Sequence, residues 1–116
     1  MNHAATLLEK VARQIEPEVQ KQLAGLFGGI VRSYLPQAWV FETDEGTATL
    51  VVEKTGAASV RDGAADHPDV TLRVPYAPLA RALQSRKPMS PDAVTVTPHT
   101  AKGRTAFDYL RSRVGL

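Results

Sequence analysis

The chain has 116 residues, 43% of them hydrophobic and 22% charged, with 14 Lys/Arg against 12 Asp/Glu and no cysteine. That balance is far from disordered, collagen-like or coiled-coil sequences, and the missing thiols exclude a disulfide framework, a thiolate metal site and a cysteine nucleophile, so one globular domain over residues 1–116 is expected. No apolar run approaches the roughly 20 residues that cross a bilayer, and no basic stretch leading into an apolar one opens the sequence, which predicts a cytoplasmic protein.

Thr6 followed by Glu9 has capping-box spacing, and Leu7, Leu8, Val11 and Ile15 recur at helical intervals, predicting a helix over 6–15. Pro17 suits the first position of a further helical segment over 17–30, where Leu23, Leu26, Phe27 and Ile30 follow i, i+3, i+4, i+7 spacing. The two segments also read as one kinked helix. Gly25, Gly28 and Gly29 each cost about 1 kcal/mol relative to alanine in a helix interior. They point either to close packing or fraying at a helix end, or to a helix soft enough to move over a ligand. Pro36 then stops the helical region, because the residue before a proline is driven out of the α conformation.

From Ala38 the period changes to two. Trp39 and Phe41 share one face, a turn follows at residues 43–46, and Ala48, Leu50 and Val52 alternate with their neighbours to complete a hairpin. Turns at Thr55-Gly56 and Asp62-Gly63 enclose a short strand through Ala58 and Val60, giving a three-stranded antiparallel meander. Val70, Leu72 and Val74 alternate as a fourth strand ended by Pro75. Tyr76, Leu79, Ala80 and Leu83 then form the apolar face of a short helix with Pro78 near its start and Arg81 and Arg86 toward its end. After a turn at Pro88-Met89-Ser90-Pro91, Val94 and Val96 mark a fifth strand, and Phe107, Leu110 and Val114 a final helix with Thr105 and Asp108 as its cap. The fold class is α+β.

Motifs for catalysis are absent from the sequence: it has no G-x-S-x-G, no phosphate loop and no H-E-x-x-H. His3, His67 and His99 are scattered and make no metal set. Asp66-His67-Pro68-Asp69 admits two readings, a carboxylate and imidazole pair for proton transfer or a solvated loop in which Asp69 turns the chain before its strand; the second is the expected one. Charge is uneven, with 5 Lys/Arg against 7 Asp/Glu in residues 1–58 and 9 against 5 in residues 59–116. This excess is modest beside that of nucleic-acid binders and the aromatic residues are too few for a stacking platform, so nucleic acid is not an expected partner.

The run His67-Pro68-Asp69-Val70-Thr71-Leu72-Arg73-Val74, followed by the short helix over 76–83, resembles the central signature of the sterol carrier protein type 2 family: a proline-aspartate pair, an alternating strand, then a short helix. The order of elements around it is similar along nearly the whole chain, through the Trp39 strand and the turns at Gly46, Gly56 and Gly63 to Pro88 and the last strand and helix. Ser85 and Pro98 stand where, or near where, that family commonly has glycine, with Gly103 as a displaced counterpart of the second. The resemblance implies a five-stranded, mainly antiparallel sheet covered by helices and enclosing an apolar tunnel. It also implies binding of a fatty acid, acyl-CoA, sterol, isoprenoid or phospholipid without chemistry, hence no enzymatic activity and no cofactor.

On that reading the side chains expected to meet the lipid are Leu26, Phe27 and Ile30 from the second helical segment and Trp39, Phe41, Leu50 and Val52 from the first strands. Leu72, Leu79, Leu83, Phe107 and Leu110 complete the set. An empty apolar void of about 300 Å³ costs on the order of 7 kcal/mol, whereas an acyl chain of about 16 carbons offers on the order of 12 kcal/mol gross when buried. Ligand and fold are therefore expected to be coupled, with the segment 17–30 and the last helix closing over the sheet as lipid enters. The expected partners are the lipid or acyl-CoA itself and, transiently, an anionic membrane surface or a lipid-metabolising enzyme. The alternative is a non-catalytic accessory module that presents a lipid intermediate to a biosynthetic enzyme.

Overall fold

A computed structural model describes residues 2–85 and 91–110. The turn expected at Pro88, Met89 and Ser90 lies outside the described residues, as do Arg86, Arg111, Arg113, Val114 and the side chain of Leu110. Helix α1 spans His3–Ala24 as one continuous element. Its N-cap is Asn2, whose Oδ1 accepts from the Ala5 amide at 2.8 Å while Nδ2 donates to the Thr47 carbonyl at 3.0 Å, so Thr6 lies inside the first turn and is not the cap. Ala4, Leu8, Val11, Ile15 and Val19 form its buried stripe. Pro17 removes one backbone bond yet does not end the helix, because buried Ile15 and Val19 hold the axis against the sheet on both sides of it.

Helix α1 stops at Gly25, and a separate short helix α2 covers Gly28–Ser33. The chain folds back tightly here: a Cβ on Gly28 would collide with the Leu23 carbonyl oxygen. The helical spacing of Leu23, Leu26, Phe27 and Ile30 therefore does not produce one apolar face, because the helix axis is broken between the first and the rest.

Strands β1 (Gln37–Thr43), β2 (Gly46–Val52), β3 (Ala58–Asp62), β4 (Val70–Arg73) and β5 (Thr95–Pro98) form one five-stranded sheet in the order β3-β2-β1-β4-β5. All neighbours are antiparallel except β1 and β4, which run parallel. The expected α+β architecture and meander are thus present, with one parallel pair at the centre. Register aligns Val60, Leu50, Trp39 and Val70 in one row and Ala48, Phe41, Leu72 and Val96 in the next. The strand face carrying these rows is the one that packs against α1.

The link from β3 to β4 returns over the strands, and it buries part of the opposite sheet face. Thr49 Oγ1 donates to the Gly63 carbonyl at 2.8 Å and accepts from the Ala65 amide at 3.0 Å. Helix α3 (Tyr76–Ser85) buries Leu79 and Leu83, and its first turn is fixed by Asp44, whose Oδ1 accepts from the Tyr76 amide at 2.7 Å. Helix α4 (Ala101–Leu110) starts earlier than its apolar spacing suggests: Thr100 Oγ1, not Thr105, caps it by accepting from the Gly103 amide at 3.0 Å.

Candidate functional site

Strand β1 begins with Gln37, whose side chain points to the same face as Trp39 because side chains two apart on a strand do so. Gln37 is buried, and burial of an amide is tolerable only when its polar atoms are bonded. Here Nε2 donates to the Tyr34 carbonyl at 2.6 Å and to the Lys102 carbonyl at 3.2 Å, and Oε1 accepts from Trp39 Nε1 at 2.9 Å. The Trp39 and Phe107 rings pack in a T-shaped arrangement, with ring centroids 5.4 Å apart and planes at 68°.

Beside this network lies a cavity of about 190 Å³, partly open to solvent. Its lining comes from four elements. The end of α1 supplies Glu18, Val19 and Gln22, and the α2 region supplies Val31, Tyr34 and Leu35. Helix α4 contributes Thr105, Ala106 and Tyr109, and the sheet contributes Gln37, Trp39 and Val52. Because Gln37 and Trp39 satisfy each other and two backbone carbonyls, their polar atoms make no demand on a guest, and the cavity lining is almost wholly apolar.

Of the expected lipid-contacting residues, the structure brings Trp39 and Val52 to this cavity. Phe41, Leu50, Leu72, Leu79, Leu83 and Phe107 are buried in the core that supports it. Leu26, Phe27 and Ile30 stand on the surface, 92%, 65% and 59% exposed, because the break at Gly25 turns them away from the sheet. Gln37, Tyr34, Leu35, Ala106 and Tyr109 were not among the expected residues. The period of β1 is the available signal for Gln37, since it shares the inward face with Trp39; nothing local marks the others, which come from two separate stretches of chain.

Asp69 is buried and fully engaged. Its Oδ2 accepts from the Ala38 amide at 2.9 Å, its Oδ1 from Thr100 Oγ1 at 2.8 Å, and Lys102 Nζ stands 3.8 Å from Oδ1. Its backbone joins the same strands, the amide donating to the Ala38 carbonyl and the carbonyl accepting from the His99 amide. A Cβ on Gly103 would lie 2.5 Å from the Asp69 carbonyl oxygen, so the first turn of α4 is seated directly on this residue. Asp69 thus ties β1, β4 and α4 together at the base of the cavity wall, in keeping with the structural reading of the Asp66-His67-Pro68-Asp69 run; Asp66 and His67 are exposed beside a polar cleft of about 610 Å³ on the other sheet face. Among the described residues no group of three or more His, Asp or Glu side chains could hold a metal ion, and no helix is long and apolar enough to cross a membrane.

No protein-family model matches the sequence, and no curated protein sequence matches it. Solved structures do match the fold. Sterol carrier protein 2 like 2 from Aedes aegypti superposes with a TM-score of 0.53 at 17% identity, over 90% of this chain and 96% of that one. The sterol carrier protein domain 2 of Helicoverpa armigera gives 0.53 at 12% identity, over 92% of this chain and 90% of that one. The stereoselective inverting sec-alkylsulfatase Pisa1 from Pseudomonas sp. gives 0.50 at 17% identity over 65% of this chain, but the chain spans only 13% of that enzyme's length. With TM-scores of 0.53 and nearly full mutual coverage, the chain has the sterol carrier protein 2 fold.

Proposed function

We propose that the protein is a non-catalytic lipid carrier that holds the hydrocarbon part of an acyl, sterol or isoprenoid ligand in the cavity between α1, α2 and α4. The observation that carries this reading is a partly open, apolar-lined cavity on whose floor the polar pair Gln37 and Trp39 is already hydrogen-bonded. The likeness in fold to sterol carrier proteins supports it. Full engagement of Asp69, the one buried carboxylate of the described residues, favours binding over proton transfer.

Size sets how the ligand enters. At about 190 Å³ the cavity is smaller than the roughly 300–1,000 Å³ of small-molecule sites, so a whole acyl chain requires its walls to part. The wall elements differ in how they are held: β1 is a central strand, whereas α2 is a six-residue helix set off from α1 by the break at Gly25, and α4 is bonded at its first turn to Asp69 and Gln37. Each methylene moved from water to the interior contributes about 0.8 kcal/mol, which offsets the separation of α2 from α4.

Titration of the purified protein with a fluorescent fatty acid tests the reading. Saturable binding is expected, together with a rise in Tm: at a hundredfold excess over Kd the stabilisation is about 2.7 kcal/mol, or on the order of 10 °C for a chain of this size. Absence of both effects with fatty acids, acyl-CoA, sterols and isoprenoids alike overturns it.

A further inference from the structure

One buried polar atom is left over by the fold. Gln14 Oε1, midway along α1, is shut off from solvent and finds no hydrogen-bond donor among the described residues. Gln37 is the contrast, since both ends of its amide are bonded at the cavity floor. A buried carbonyl oxygen without a donor costs free energy that a donor recovers, so Gln14 Oε1 is a standing acceptor for a group brought in from outside the chain.

Its place on the helix connects it to the cavity. Gln14, Glu18 and Gln22 recur at i, i+4 and i+8, which puts them on one face of α1, and Glu18 and Gln22 line the cavity. Gln14 stands one turn closer to the helix start, about 6 Å along the axis from Glu18. Its helix neighbours Val11 and Ile15 are buried in the core. The cavity of about 190 Å³ is too small for a whole acyl chain, and a guest that lengthens it by following α1 inward runs over hydrocarbon and meets this oxygen.

The chemistry of the acceptor says which head group suits it. An amide oxygen accepts and cannot donate; a hydroxyl supplies the missing hydrogen, whereas an ionised carboxylate has none to give. Nor would a carboxylate find a counter-ion on the way. No Lys, Arg or His is among the described residues that line the cavity, and their one charged side chain is Glu18, itself a carboxylate. Burying an anion without a cation costs far more than burying a hydroxyl that is hydrogen-bonded.

We propose that Gln14 sets head-group specificity: its Oε1 accepts the hydroxyl hydrogen of a neutral lipid alcohol threaded along α1, so the cavity prefers an alcohol to the fatty acid of the same length. This rests on the carrier reading and names the head group within it.

The test is displacement of a fluorescent fatty alcohol from the intact protein by hexadecanol, methyl palmitate and ionised palmitate, which share a chain length and present a donor, a neutral acceptor and an anion. Hexadecanol should bind about tenfold or more tightly than either of the others. Gln14→Leu keeps the volume and removes the acceptor; it should bring hexadecanol down to the level of methyl palmitate, leave methyl palmitate within about twofold of its wild-type affinity, and not lower Tm. Equal wild-type affinity for hexadecanol and methyl palmitate overturns the proposal with the carrier reading intact, and that comparison needs no variant. An alcohol preference that survives Gln14→Leu overturns it as well. Failure of the fluorescent alcohol and of a fluorescent fatty acid alike to bind removes the carrier reading and the proposal with it.

Discussion

Gln37 Oε1 accepts the indole N–H of Trp39 at 2.9 Å, between two residues that share the inward face of one strand. The pair closes off the polar atoms at the floor of an otherwise greasy cavity, and the amide's other end holds the Tyr34 and Lys102 carbonyls, one at the end of α2 and one at the start of α4. A single side chain thus joins the floor to both walls.

Replacing it should show in stability first. Gln37→Leu keeps the volume but leaves the Trp39 N–H and two carbonyls without their partner, a loss of about 1–3 kcal/mol. Urea denaturation should show this with an unchanged m-value, and a native state as stable as wild type would contradict the role assigned to the network.

Asp69 gives a sharper contrast. Asp69→Ala removes the acceptor of the Ala38 amide and Thr100 hydroxyl and should cost about 2–4 kcal/mol, whereas Asp66→Ala and His67→Ala, both exposed, should each stay within about 0.5 kcal/mol. Thermal unfolding of the three variants decides it. Equal effects at all three positions would mean that the run acts as a unit rather than through one buried carboxylate.

Two glycines should respond in opposite directions. Gly103→Ala sets a methyl 2.5 Å from the Asp69 carbonyl and must lift the first turn of α4, so a loss of stability of about 1–3 kcal/mol is expected. Gly29→Ala lies in α2 with open space around the added methyl, so it should stabilise by about 0.5–1 kcal/mol. Calorimetry of both variants checks the pair, and a destabilised Gly29→Ala protein would contradict the placement of α2.

Much of the sheet is legible in the sequence because strand alternation is local: Trp39 and Phe41, Ala48, Leu50 and Val52, then Val70 and Leu72 announce their shared face within a few residues of chain. Helix ends are not local in the same way. Asn2 outcompetes Thr6 as the cap of α1 partly because its amide also reaches Thr47, a contact across the fold, and Thr100 caps α4 where Asp69 anchors it. Leu26, Phe27 and Ile30 show how spacing misleads: helical periodicity carries on through Gly25, but the helix does not. The division between cavity wall and packed core is the least legible feature. Leu50 and Val52 alternate on one strand face, yet only Val52 lines the cavity, because what separates them is where α1, α2 and α4 stand above the sheet.

The most direct measurement uses Trp39, the sole tryptophan of the chain, which lies on the cavity floor. Titration with a brominated fatty acid should quench its emission saturably, and Ala106→Phe, which fills the cavity from α4, should lower that affinity about tenfold or more without lowering Tm. Emission indifferent to the brominated chain, or quenched equally in wild type and Ala106→Phe, would contradict a hydrocarbon guest at this site.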